Sequence, residues 1–111
     1  MNYIEKIPHS KVLDLKKEVP VEEDQVSSMT LVQRDDLGMS VFALDEGQSI
    51  GGHSSKGDAM VNILSGKAEI TIDEDKYLVS AGESIVLPAN IRHALHAVEA
   101  FQMLLVVVKP Q

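Results

Sequence analysis

Two histidines stand where their spacing could do chemistry. His53 sits in Gly51-Gly52-His53-Ser54-Ser55-Lys56-Gly57-Asp58-Ala59, among small residues, six positions after Gly47. His93 follows Pro88 by five residues, and Pro88 itself stands six positions after Gly82. Imidazole is the commonest side-chain ligand for a transition metal and the side chain most easily switched near neutral pH. A tightly held divalent metal usually takes three or more protein ligands, so His53 and His93 alone fall short. Ser54 and Ser55 flank the first histidine, but no Gly-x-Ser-x-Gly elbow accompanies them, and no phosphate loop or dinucleotide fingerprint is present.

Such residues need a scaffold, and the chain reads as strands. Val26–Arg34 is rich in apolar and β-branched residues and ends at Asp35-Asp36-Leu37-Gly38, a turn signal that predicts a hairpin into Met39–Leu44. Ala59–Leu64, Lys67–Ile72, Tyr77–Val79, Ser84–Leu87, His93–Val98 and Phe101–Lys109 follow, each bounded by Gly, Pro, Asp or Ser. In Lys67–Ile72, Ala68, Ile70 and Ile72 alternate with Lys67, Glu69 and Thr71, which is the period of a half-buried strand. No segment keeps a helical period over three turns. Residues 1–25 are mixed and read as an N-terminal extension in which a helical turn or an edge strand would fit equally; residues 26–111 read as one all-β unit, a sandwich or small barrel.

Composition narrows the function. The chain has 111 residues and no cysteine, which excludes a disulfide framework, a thiolate metal site and a cysteine nucleophile. Its formal charge of −7 argues against nucleic acid or an anionic membrane as partner. The N-terminal stretch lacks an apolar signal core and the longest apolar run, Met103–Val108, is too short to span a bilayer, so a cytoplasmic protein is expected.

The two glycine-anchored segments together resemble the motifs of the cupin superfamily, in its small single-domain form. The first motif runs Gly, five residues, His-x-His, three or four residues, Glu, six residues, Gly, and is met here by Gly47, His53 and Gly66; the second is met by Gly82, Pro88 and His93. The resemblance covers about residues 38 to 108 and implies a cupin-like double-stranded β-helix, or jelly-roll barrel. The departures bear on chemistry. The second histidine falls on Ser55, the glutamate on Ala59, the glycine of the second motif on Asn90 and its asparagine on Ala97. Asn90 can still serve the turn, because asparagine tolerates the left-handed region.

Of the family's four metal-ligand positions, only His53 and His93 remain, so the resemblance implies at most a weakly held divalent transition metal on these two. Alternation puts Asp58, Asn62 and His96 on the faces opposite Ala59 and His93, so Asp58 or His96 would replace a lost ligand only through a bulge. Ser55, Ala59 and Val61 are expected to line a ligand pocket, and the loss of a glutamate at Ala59 makes that pocket larger and less polar. Ile63, Ile70 and Ile72 read as core or pocket wall. Arg92 and Lys56 are either exposed cations or anion contacts at the barrel mouth. Three functions follow: a barrel that binds a small molecule; a metal-dependent cupin enzyme, dioxygenase- or isomerase-like, with a reduced two-histidine site; or a regulatory or sensing module. The resemblance also implies a homodimer, with the 1–25 segment as a swapped or edge strand.

Overall fold

A computed structural model of the chain describes residues 2–110. Among these residues are nine strands and one short helix. Strands β1 (Val26–Gln33), β2 (Leu37–Leu44), β3 (Ser49–His53), β4 (Asp58–Ser65), β5 (Lys67–Ile72), β6 (Asp75–Ser80), β7 (Ser84–Leu87), β8 (His93–Ala97) and β9 (Phe101–Val108) follow helix α1 (Leu15–Glu18). All pairings are antiparallel. One sheet has five strands in the order β1-β2-β9-β4-β7 and the other four, β3-β8-β5-β6.

The two sheets close on a core to which both contribute. Leu44, Val61, Phe101 and Met103 come from the larger sheet, and Ala68, Ile70, Leu95 and Ala97 from the smaller. Phe101, Leu44 and Ile70 are fully buried, and each such side chain contributes about 1.5–3 kcal/mol of transfer free energy. Alternation is strict where it matters: β8 reads buried, half-buried, buried, exposed, buried, so His93, Leu95 and Ala97 face in and His96 faces out.

Gly66, between β4 and β5, has a φ of +77°, and a Cβ there would run into the carbonyl of Ala100. Both conditions select glycine. Asn90 adopts φ +64°, the left-handed turn conformation anticipated for it.

The N-terminal residues form a second apolar layer outside the larger sheet. Val19 is buried with Leu31, Val32, Val41 and Ala43, and Ile7 and Leu15 pack against them. Asp14 caps α1 by accepting the Lys16 N–H at 3.0 Å. Gln102 on β9 is buried and fastens this layer: its Nε2 donates to the carbonyls of Lys16 (2.6 Å) and Val19 (2.8 Å), while its Oε1 accepts from the Ser65 hydroxyl (2.8 Å). Among the described residues no helix is long and apolar enough to cross a membrane.

Candidate functional site

The smaller sheet brings the two histidines together, and a bulge does it. In β3, Ser49 pairs with His96 and Ile50 with Leu95, but His53 pairs with His93, so the register slips by one residue between Ile50 and His53. Ile50 faces the barrel interior. Without the slip, alternation would turn Gly52 inward and His53 outward; the extra residue re-aims His53 onto the side of His93. Gly51 and Gly52 make up the distorted stretch. Gly52 also leaves room for the Arg92 guanidinium, which lies 2.5 Å from where a Cβ would be.

Two hydrogen bonds tie the histidine-bearing loops at the barrel mouth. The Asn90 N–H donates to the Ser55 carbonyl at 2.7 Å, and the Ala89 N–H donates to Oδ1 of Asp58 at 2.8 Å. Asp58 is thus occupied as a loop clamp on the outer side of β4. His96 bonds the Ser49 hydroxyl through Nδ1 at 2.7 Å on the exposed face of its sheet. Neither replaces a lost ligand position.

The His53 and His93 rings meet edge to face, with centroids 4.4 Å apart and planes at 70°. Their Nε2 atoms are 3.2 Å apart. Behind each ring Nδ1 faces a backbone carbonyl, Gly51 at 2.7 Å for His53 and Ile91 at 3.2 Å for His93. A carbonyl only accepts, so each Nδ1 is placed to donate, and in a neutral ring Nε2 is then the acceptor. His93 is buried and His53 is exposed. Burial, and next the proximity of His53, push the His93 pKa below its ordinary 6.5, against the raising effect of the Ile91 carbonyl.

Beneath the pair lies a cavity of about 100 Å³. Apart from the two imidazoles its wall is apolar: Phe42 from β2, Ala59 from β4, Leu87 from β7, and Met103, Leu105 and Val107 from β9, with Ile50 and Leu95 beside the histidines. Of the residues expected at a pocket, His53, His93 and Ala59 share this cavity. Val61, two positions on from Ala59, is fully buried in the core and does not reach the cavity wall. Ser55 turns back on its own loop, its hydroxyl bonded to the Gly57 N–H (3.0 Å) and carbonyl (3.1 Å). Arg92 and Lys56 do not line the cavity either. Leu87, Leu95 and the alternating residues Met103, Leu105 and Val107 of β9 complete the wall, and in β9 the two-residue spacing is the sequence signal for an inward face.

The donor set can be weighed directly. Two metal bonds of about 2.0–2.1 Å at angles between octahedral and tetrahedral separate their nitrogens by roughly 2.9–3.4 Å, so the 3.2 Å between the Nε2 atoms suits a cis pair. Among the described residues, however, no group of three or more His, Cys, Asp or Glu side chains could hold a metal ion. The residues do not fit a tightly bound metal.

Residues 40–109 match the family described as Cupin domain. The chain belongs to the cupin family. As a small single-domain cupin it has close structural relatives. It is similar to a conserved protein of unknown function from Streptococcus pyogenes, at 68% identity over 100% of this chain and 97% of that one, with a TM-score of 0.99. A cupin superfamily protein from Desulfitobacterium hafniense is 30% identical over 96% of this chain and 98% of that one, with a TM-score of 0.92. A Cupin 2 conserved barrel domain protein from Leptotrichia buccalis is 38% identical over 87% of this cupin but only 47% of its own length, with a TM-score of 0.85. Among the curated proteins nothing matches.

Proposed function

We propose that this cupin binds a small molecule in the barrel, with an apolar body in the cavity and a polar end at the histidine pair. One observation carries the reading. The cavity is walled by carbon except where two imidazoles, fixed from behind by carbonyls, turn their Nε2 atoms toward each other. Binding pockets combine an apolar wall with a few placed polar groups in this way. The volume limits the occupant. An apolar cavity of about 150 Å³ takes a benzene molecule, so about 100 Å³ suits a smaller body. A fragment screen read by methyl NMR tests the proposal. Hits should shift the methyl groups of Ala59, Leu87, Leu95 and Met103; hits that shift only methyls elsewhere contradict it.

A second reading has its own support in the 3.2 Å Nε2 separation, which is that of two cis ligands. On this reading His53 and His93 hold a divalent cation weakly, and each donates Nδ1–H to a carbonyl, as metal-bound histidines commonly do. Elemental analysis of protein prepared without affinity-tag metals tests it. Occupancy that vanishes in His53→Ala and His93→Ala supports it, and less than about a tenth of an equivalent, unchanged on adding zinc, nickel, iron or manganese, rules it out.

Self-association is also proposed, through the outer face of β9, β4 and β7. Met60 pairs across the sheet with Val86 on one side and Val106 on the other, and Met60, Val86 and Val108 are 43%, 49% and 59% exposed. Asn62 and Ser84, beside them, are uncharged. Two copies of a chain with net charge −7 repel least where charge is sparse; on this face the Asp58 carboxylate, opposite Val108 and bonded to the Ala89 N–H, stands at the end of the apolar run.

A further inference from the structure

We infer that the cavity ligand is a small neutral hydroxyl compound, an alcohol with an apolar body of about four carbons. This rests on the ligand-binding reading above and names the chemical class that the site selects. Both Nδ1 protons are committed to the Gly51 and Ile91 carbonyls, so both Nε2 atoms are acceptors. With both rings neutral, the 3.2 Å contact between the Nε2 atoms has no proton to share. Each needs a donor, and the remainder of the cavity wall, all aliphatic, aromatic or thioether, supplies none. With the cavity filled and water displaced, the donor has to arrive with the ligand.

The chemistry of that donor is narrowed by what the wall lacks. A carboxylate brings only acceptors to two lone pairs. An ammonium group brings donors, but no Asp or Glu lines the cavity to offset its lost hydration. A hydroxyl needs neither a counter-charge nor a second proton. Its hydrogen, placed on the bisector of two acceptors at this spacing, makes a three-centre bond to both. The exposed His53 and buried His93 put this bond at the mouth, so the hydroxyl stays toward solvent and the carbon body points to Ala59, Leu87 and Met103. Scaled against the benzene-binding cavity of about 150 Å³, the space holds about four carbons.

The test compares three probes of nearly equal shape on chelator-treated protein at pH 8: 2-methyl-1-propanol, isopropyl methyl ether and isobutyrate, followed by the Ala59, Leu87 and Met103 methyl shifts and the imidazole nitrogen shifts. The alcohol should bind about tenfold more tightly than either of the others, the margin of one or so net hydrogen bonds, and should move both Nε2 resonances. In His53→Phe, which keeps a ring but removes one acceptor, binding should persist with the alcohol-over-ether preference reduced. Equal binding of alcohol and ether overturns the hydroxyl assignment while leaving the cavity reading intact. Tighter binding of isobutyrate overturns it as well, because the pair would then carry a proton. If no probe of any size moves these methyls, the cavity reading fails and takes this inference with it.

Discussion

His53 and His93 face each other Nε2 to Nε2 at 3.2 Å, each braced by a backbone carbonyl on its other nitrogen. The contact depends on the β3 bulge, which offsets the His53 register by one residue from that of Ser49 and Ile50. With both rings neutral, the two Nε2 atoms make a small acceptor site at the rim of an apolar cavity. Its chemistry follows from geometry more than from the number of ligand residues.

The first prediction concerns acid. His93 has its pKa below 6.5 in the fold, because burial and the neighbouring His53 disfavour its charge. The unfolded chain therefore takes up this proton before the folded one does. The stabilisation is complete above pH 6.5 and is lost as the pH falls toward the folded-state value, with a slope of at most about 1.4 kcal/mol per pH unit for one proton. Urea denaturation between pH 8 and pH 5 should show stability falling on acidification, and His93→Gln should flatten that profile. A variant as pH-sensitive as the parent contradicts the assignment.

A second prediction uses Ala59, which shares the cavity with both histidines. Ala59→Glu adds a carboxylate beside the Nε2 pair, which in the apo protein is a poorly solvated charge costing about 1–3 kcal/mol. With zinc or nickel the same carboxylate becomes a third ligand. The variant should melt below the parent without metal and gain at least about tenfold in metal affinity over it, measured by calorimetric titration. No gain in affinity would show that Ala59 does not point at the pair.

Gln102 carries a third prediction. Gln102→Ala strands the Lys16 and Val19 carbonyls under the N-terminal layer, so it should cost about 2–3 kcal/mol. The loss should be local. Hydrogen exchange should quicken over residues 15–19, while the amides of β4 and β9 that face the core stay protected. Uniform deprotection would mean that the N-terminal layer and the barrel unfold as one unit.

The proposed self-association is tested on the outer sheet face. Light scattering at high micromolar concentration should report a dimer, and Met60→Glu or Val86→Glu should convert it to monomer without loss of β-sheet signal. A monomeric parent contradicts the proposal.

Much of the fold was legible because turn residues and alternation are local. Lys67–Ile72 and Ser84–Leu87 have the bounds that their flanking Gly, Asp and Pro residues predict. β3 was not legible: Ser49-Ile50-Gly51-Gly52-His53 has one β-branched residue and two glycines, and only pairing with β8 makes it a strand. The short α1 was undecidable from periodicity, since four residues complete hardly more than one turn. At the site, the family spacing singled out the two histidines, but their inward convergence depends on a bulge that no periodicity reveals. Val61 illustrates a further limit, because alternation assigns a face and not a depth. Ser55 illustrates another: a hydroxyl at a ligand position is free to satisfy its own loop instead, here at Gly57.

The most direct test of the account is the protonation pattern of the two imidazoles in metal-free protein above pH 7.5, read by long-range proton–nitrogen NMR correlation. Both rings are expected to carry the proton on Nδ1 and a bare Nε2. A proton on Nε2 of either ring would turn the pair into an internal N–H···N hydrogen bond and contradict the claim that His53 and His93 together await a donor.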